Sequence, residues 1–176
     1  MKVKLIPYDS YWHKAFEEES KPIKDILKGL LIDIYHIGST AVEGLCSRPA
    51  IDMMAVVRDI AAIDEIEDSF ESFGYECMGE FGITRRRYFR KQGDLSYHLN
   101  IFDVFSERDI IRHLAFKDYL RANPEDVAFY ASLKISLAKC FASDMEGYSI
   151  GKAAYINSIE EKAISWYINK YSVGNI

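Results

Sequence analysis

The sequence predicts an α+β fold in which a mixed β-sheet core carries flanking helices and ends in a C-terminal helical part. Apolar runs of strand length occur only within the first 105 residues, and helical signals dominate from residue 106 onwards. The chain also has only four prolines, with no repeat and no low-complexity linker. We therefore expect a single domain over residues 1–176, with a core over about 1–105 and a helical part over about 106–176.

The first elements follow from the spacing of apolar residues. Residues 3–8 are either a short edge strand or an extended lead-in, and residues 10–27 repeat apolar side chains at the spacing of a helix. Residues 30–37 are apolar and β-branched, which predicts a strand. Residues 49–57 form an apolar run with one carboxylate, as in a strand buried on both faces. Residues 59–73 predict a helix that Asp59 caps.

The later elements are marked by turns and caps. Strands over 85–91 and 95–105 flank Gly93-Asp94, which predicts a β-hairpin. Ser106 with Asp109 resembles a capping box for the next helix, and Asn123-Pro124 marks the start of another. A last helix is expected over 149–171.

Composition excludes several classes of protein. The 22 Lys and Arg residues are outnumbered by 27 Asp and Glu residues, so the net charge of −5 argues against a protein that coats nucleic acid. Three widely spaced cysteines indicate neither a zinc site nor a disulfide framework. The N-terminus lacks an apolar signal core and no run has the length of a membrane span, so we expect a cytoplasmic protein without a membrane partner.

A carboxylate and a glycine turn stand out among the apolar strands. Asp52 interrupts the strand AIDMMAVV, and a buried carboxylate is costly unless it is paired, hydrogen-bonded or bound to a metal. Asp52 is therefore either a structural acceptor for backbone N–H groups or a catalytic residue. The turn Gly38-Ser39-Thr40 would let backbone N–H groups and hydroxyls approach a phosphate closely.

The spacing between Gly38-Ser39 and Asp52, together with longer motifs, identifies a family resemblance. The strings HIGSTAVEGLCSRPAIDMMAVV, FKDYLRANPEDVAFYASLK and GKAAYINSIEEKAISW resemble the GrpB family, whose members have the nucleotidyltransferase fold. The resemblance covers essentially the whole chain, with its motifs in the family's order.

The resemblance implies roles for the turn and for the strand that follows. Gly38, Ser39 and Thr40 would bind the phosphates of a nucleoside triphosphate, and Asp52 would be both catalytic and a ligand to Mg²⁺. Met54 stands where the superfamily has a second carboxylate, and a thioether is a poor ligand for a hard cation. Glu43 and Asn100 are further departures, from a proline and a second histidine respectively.

Other candidates lie on the 95–105 strand and in basic segments. His98 and Asn100 project from one strand face, so His98 is either a metal ligand or base, with Asn100 as a further ligand, or a structural sheet histidine. Alternation divides the basic residues of 85–91 between two faces, and Arg86 is a candidate for phosphate binding. Most of that cluster is expected to be solvated and to suppress edge pairing. Lys134 and Lys152 fall on apolar helix faces and match lysines of the family's helical motifs, which implies a phosphate or acceptor role.

These observations lead to three hypotheses for the function of the protein. The first is Mg²⁺-dependent transfer of a nucleoside monophosphate from a nucleoside triphosphate to a hydroxyl or amine of a small-molecule acceptor. The second is a nucleotide-binding or regulatory module that kept the cleft without the second metal carboxylate. The third, RNA binding through residues 85–91, is disfavoured by the acidic balance. The sequence does not fix the oligomeric state.

Overall fold

The computed structural model describes residues 3–172. Its helices and strands are, in chain order, α1 Tyr11–Ile26, β1 Leu31–Ile37, β2 Ala50–Val57, α2 Ala61–Asp64, α3 Glu67–Ser72, β3 Glu76–Cys77, β4 Arg87–Lys91, β5 Ser96–Asp103, α4 Glu107–Ala122, α5 Pro124–Cys140 and α6 Met145–Ser172. A short 3₁₀ helix, Ser39–Ala41, follows β1. Strands with flanking helices are thus followed by three helices, which confirms the predicted α+β class.

The described residues form two compact units. The sheet unit comprises Asp9–Ala41 and Ala50–Ile110, and the helical unit comprises residues 3–8, Val42–Pro49 and residues 111–172. The predicted division near residue 105 therefore omits one feature, since Val42–Pro49, which lies in the chain between β1 and β2, belongs to the helical unit. That the whole chain acts as one domain stays a prediction.

The sheet unit is built on five strands in the order β1-β2-β5-β4-β3. The central pair β2 and β5 is parallel, whereas the other neighbours are antiparallel. Val57, Leu99 and the other apolar residues of β2 and β5 are almost fully buried, as expected for strands covered on both faces. The predicted hairpin between β4 and β5 is confirmed.

One face of the sheet packs against α1 and α3. Trp12 and Ile23 of α1 are 2% and 0% exposed, and Phe70 of α3 lies with its ring centroid 4.4 Å from that of Phe89. The strand register places Asp52 and His98 on the opposite face from Met53 and Leu99. Asp52, His98 and Asn100 therefore share the face that α1 and α3 do not cover.

The helical unit has its own apolar core. Tyr119, Tyr130 and Ile159 from α4, α5 and α6 are buried together with Val42 and Leu45 of the inserted segment. A methyl group in place of the Gly151 hydrogen would lie 2.5 Å from Leu137 Cδ2, so this glycine permits the close packing of α6 on α5.

Several local predictions differ from the structure. The 59–73 segment is two short helices, because Ile66 adopts φ −120° and interrupts the helix. Asn123 precedes α5 but its side-chain amide donates to the Tyr119 carbonyl at 2.7 Å instead of capping the helix. The last helix begins at Met145, where Asp144 accepts a hydrogen bond from the Gly147 N–H.

Two predictions about edge strands also differ from the structure. Residues 3–8 include a single bridge, between Ile6 and Ser47, so the extended lead-in is correct and the edge strand is not. β4 is not an edge strand, because the two-residue β3 pairs with it. Protection of an exposed edge therefore does not explain the charges on β4.

Candidate functional site

The glycine turn and the carboxylate of β2 are in direct contact. Gly38 has a φ of +70°, and a Cβ atom built on it would lie 2.6 Å from Asp52 Oδ2 and 3.1 Å from Asp52 Cβ. A left-handed φ is costly for residues with a side chain, and here a side chain would also displace the carboxylate. Glycine at position 38 is therefore required for the turn to close against Asp52.

Asp52 forms a pair with His98. The parallel register sets Asp52 directly beside His98, and the distance from Asp52 Oδ1 to His98 Nδ1 is 3.0 Å. The Asp52 side chain is 37% exposed and that of His98 is 17% exposed, so both are accessible to solvent on the face of the sheet that α1 and α3 do not cover. When Asp52 is ionised, Nδ1 carries the hydrogen and donates it, which leaves the His98 Nε2 lone pair available as a base.

The second metal-ligand position is apolar and buried. Met54 is 0% exposed and lies between Tyr35 of β1 and Asn100 of β5 in the sheet register. The Asn100 side chain is buried as well: its Oδ1 accepts from Arg86 Nη1 at 3.0 Å, and its Nδ2 donates to the Met53 carbonyl at 3.2 Å. The amide oxygen that could coordinate a cation is therefore engaged by a guanidinium.

The side chains at positions 52, 54 and 100 determine which kind of metal site this region can form. Asp52 supplies one carboxylate, and Mg²⁺ is commonly held by one carboxylate with water and substrate phosphates completing its shell. A site with two protein carboxylates does not fit these residues. Across residues 3–172, no group of three or more His, Cys, Asp and Glu side chains is arranged to hold a metal ion.

Ser39 and Thr40 have different surroundings, although both follow Gly38. Ser39 is half-buried, whereas Thr40 is 0% exposed and its Oγ1 lies 2.9 Å from His36 Nε2. The His36 ring stacks on Phe16 of α1 at a centroid distance of 5.0 Å. Thr40 thus fastens the turn to the helix-covered face of the sheet, and its role toward a phosphate stays a prediction.

Most of the basic cluster is bound to carboxylates. Four of its members form ion pairs, which are Arg85 with Asp103, Arg87 with Asp64, Arg90 with Glu76 and Lys91 with Glu19. Hydrogen bonding from Arg87 lowers the pKa of the Asp64 carboxyl. These pairs reduce the positive potential that RNA binding would need.

Arg86 differs from the rest of the cluster. Its side chain is 8% exposed, and besides Asn100 it donates to the backbone carbonyls of Glu80 at 3.2 Å and Phe81 at 2.6 Å. Its guanidinium carbon also lies 4.9 Å from the centre of the Tyr88 ring. Arg86 therefore fixes the loop before β4, and its contact with a phosphate stays a prediction.

The two candidate lysines lie in the helical unit. Lys134 is 2% exposed; its Nζ donates to the Cys46 carbonyl and lies 5.3 Å from the centre of the Tyr130 ring. Lys152 lies 4.7 Å from the centre of the Tyr148 ring. The prediction of inward-facing lysines is thus correct for Lys134, and the roles of both toward a phosphate stay predictions.

A buried phenol accompanies these lysines and was not found from the sequence. Tyr148 is 0% exposed, and its hydroxyl has no hydrogen-bond partner among the described residues. Burial raises its pKa to about 12, against the opposing effect of the nearby Arg48. In a single sequence, a tyrosine on an apolar helix face is interpreted as an ordinary core residue. Only the tertiary structure shows that its hydroxyl lacks a hydrogen-bond partner.

No helix within residues 3–172 has the length and apolar character needed to cross a membrane.

Comparison with known structures finds proteins that share this fold. The crystal structure of the conserved protein GrpB from Enterococcus faecalis matches with a TM-score of 0.90 and 39% identity, covering 93% of this chain and 99% of that one. The structure of Cid1 in complex with the UTP analog UMPNPP matches with a TM-score of 0.50 and 14% identity, over 83% of this chain and 48% of that one. The Cid1 match supports the fold alone, and confirms the predicted nucleotidyltransferase-like class.

Sequence comparison agrees with the structural match. The UPF0157 protein YqkA of Bacillus subtilis is 37% identical over 166 residues, which are 94% of this chain and 48% of that protein. The chain thus spans about half of the length of YqkA. The model of the GrpB protein family matches residues 2–162, and the chain therefore belongs to the GrpB family.

Proposed function

We propose that this chain binds a nucleoside triphosphate and transfers its nucleoside monophosphate to a hydroxyl or amine of a small cytoplasmic acceptor. The observation that carries the proposal is the contact of Gly38 with Asp52, which seats a glycine turn directly beside an accessible carboxylate that is paired with His98. The similarity to Cid1, whose structure contains a UTP analog, supports a nucleotide as the ligand.

The glycine turn and Asp52 would hold the phosphates. With no side chain at position 38, the backbone of Gly38 and Ser39 can approach a phosphate closely. Asp52 would hold Mg²⁺ together with phosphate oxygens, and that ion would neutralise charge that develops on the phosphates. Catalysis would come mainly from the orientation of the two reactants.

His98 would act as the base. The acceptor oxygen or nitrogen forms a bond to the α-phosphorus, and the bond from the α-phosphorus to the bridging oxygen breaks. Pyrophosphate leaves with the electron pair, and the acceptor's proton passes to His98 Nε2. Asp52, 3.0 Å from Nδ1, orients the ring and stabilises the imidazolium that forms.

A thermal-shift titration with each nucleoside triphosphate, with and without Mg²⁺, tests the proposal on the wild type and Asp52→Asn. A ligand that binds the folded state raises the melting temperature by mass action. We expect Mg²⁺-dependent stabilisation of the wild type that is lost in Asp52→Asn. Asp59→Asn is a matched control, because Asp59 lies on an exposed turn where it accepts from the Ala61 N–H.

A second function, a nucleotide-binding or regulatory module without transfer, is favoured by Met54. This buried thioether replaces the second carboxylate, and the Asn100 oxygen is already bound to Arg86. Stabilisation by a nucleotide that is independent of both Mg²⁺ and Asp52 would support this function against the first. No stabilisation by any nucleotide would contradict both.

A further inference from the structure

A row of residues crosses the face of the sheet that α1 and α3 do not cover, from the turn after β1 to β4. Gly38 lies against Asp52, and Asp52 is hydrogen-bonded to His98. The centroid of the His98 ring lies 6.1 Å from the centroid of the Tyr88 ring. The Phe81 ring stacks on Tyr88 at 5.1 Å with an interplanar angle of 16°. Phe81 and Tyr88, here named the aromatic shelf, thus lie on the side of His98 that faces away from the glycine turn.

The loop that presents Phe81 has an unusual backbone. Phe81 and Arg85 adopt φ values of +43° and +62°, and Gly79 and Gly82 are left-handed too. Side-chain-bearing residues in this region cost about 1–3 kcal/mol each, and they persist where the surrounding structure holds them. Here Arg86 holds the loop, through hydrogen bonds to the carbonyls of Glu80 and Phe81.

The outcome of this arrangement is an exposed aromatic ring. Phe81 is 57% exposed even though it stacks on Tyr88. A loop that only connected β3 and β4 would need neither two strained residues nor an apolar ring on the surface. A ring held in this way offers a flat face on which another planar ring can stack.

We propose that the aromatic shelf is the acceptor subsite and that it binds an acceptor carrying a planar aromatic ring. The inference rests on the proposed function. For in-line displacement the attacking and leaving atoms stand on opposite sides of the phosphorus. With the phosphates at Gly38 and Asp52, an acceptor on the shelf approaches from the opposite side, past His98, the base that receives its proton.

Saturation-transfer NMR without nucleotide tests the subsite directly. The probes are 2-phenylethylamine and its saturated counterpart 2-cyclohexylethylamine, which share the amine and differ in the planar ring. We expect the wild type to bind the aromatic amine more tightly. We expect Phe81→Ala to lose roughly tenfold in affinity, equivalent to about 1.4 kcal/mol, within the range known for aromatic stacking.

The chain offers a matched control. Phe129 is 59% exposed and its ring lies 5.3 Å from the Tyr155 ring, but it belongs to the helical unit. Phe129→Ala should retain the binding of 2-phenylethylamine, and Phe81→Leu should retain bulk while losing the preference for the aromatic amine. Equal binding of the two amines by the wild type, or an unchanged affinity in Phe81→Ala, would overturn the proposal.

Nucleotide titrations of the same variants separate the two proposals. Phe81→Ala should keep the stabilisation by nucleoside triphosphate, because Gly38 and Asp52 are unchanged. If that stabilisation is lost, the ring on the shelf is the base of the nucleotide, which overturns the acceptor assignment. If no nucleotide stabilises the wild type, the proposed function fails, whereas a preference for the aromatic amine would still support the subsite.

Discussion

Replacement of Gly38 with alanine should destabilise the chain in two separable ways. Alanine must adopt a φ of +70°, and a left-handed conformation costs a residue with a Cβ about 1–2 kcal/mol. The new Cβ would also lie 2.6 Å from Asp52 Oδ2, so the carboxylate has to move. Movement of Asp52 breaks its hydrogen bond to His98.

The magnitude of the second effect follows from the exposure of Asp52. Hydrogen bonds to charged groups contribute about 1.5–3 kcal/mol when buried, and 37% exposure of the Asp52 side chain reduces that to about 1–2 kcal/mol. The free energy of unfolding should therefore fall by about 2–4 kcal/mol in total. Urea denaturation measures this value, and nucleotide stabilisation of the same variant should be lost.

Gly29→Ala is the control that isolates backbone strain. Gly29 has a φ of +86°, but no atom lies within 4 Å of the position that its Cβ would take. Gly38→Ala should therefore melt roughly 2–8 °C below Gly29→Ala, as expected for about 1–2 kcal/mol in a chain of this length. In an Asp52→Ala background this difference should shrink. Equal destabilisation by the two substitutions would refute the reasoning.

Two further predictions concern a buried cation and a half-buried thiol. Arg86→Met leaves three hydrogen-bond acceptors without their guanidinium donor, so it should lower the free energy of unfolding in urea by about 2–4 kcal/mol. Arg90→Met removes only the surface ion pair with Glu76. It should change the free energy of unfolding little in the same assay. Cys77 should react slowly with iodoacetamide at pH 8. Burial raises the pKa of its thiol to about 11, so little of the reactive thiolate forms. Cys140 is exposed and therefore accessible to the reagent. Equal modification of the two cysteines by mass spectrometry would contradict this second expectation.

Local patterns in the sequence predicted the parts of the fold whose causes are local. The apolar run at residues 49–57 became β2, and Gly93-Asp94 formed the turn between β4 and β5. Gly38 was identified as a turn because a strand-like run stops at it. The two-residue β3 has no period of its own and exists through pairing with β4, so no local pattern could reveal it.

The candidate site was predictable in its components and not in its contacts. Asp52 and His98 each stood out as polar residues in apolar strands, but their pairing depends on the parallel register of β2 and β5. Arg86 looked like one of several similar basic residues, and only its burial beside Asn100 distinguishes it. No sequence pattern marks Phe81, because a single phenylalanine in a glycine-containing loop does not indicate whether its ring is exposed.

The segment Val42–Pro49 has a consequence for how this protein can be divided. It belongs to the helical unit, although it lies in the chain between β1 and β2 of the sheet unit. No single cut in the polypeptide therefore releases either unit whole, and removal of the last three helices would leave Val42 and Leu45 without their apolar partners. Genetic exchange at a single junction therefore cannot replace the sheet that carries Asp52 without also dividing the unit that carries Lys134.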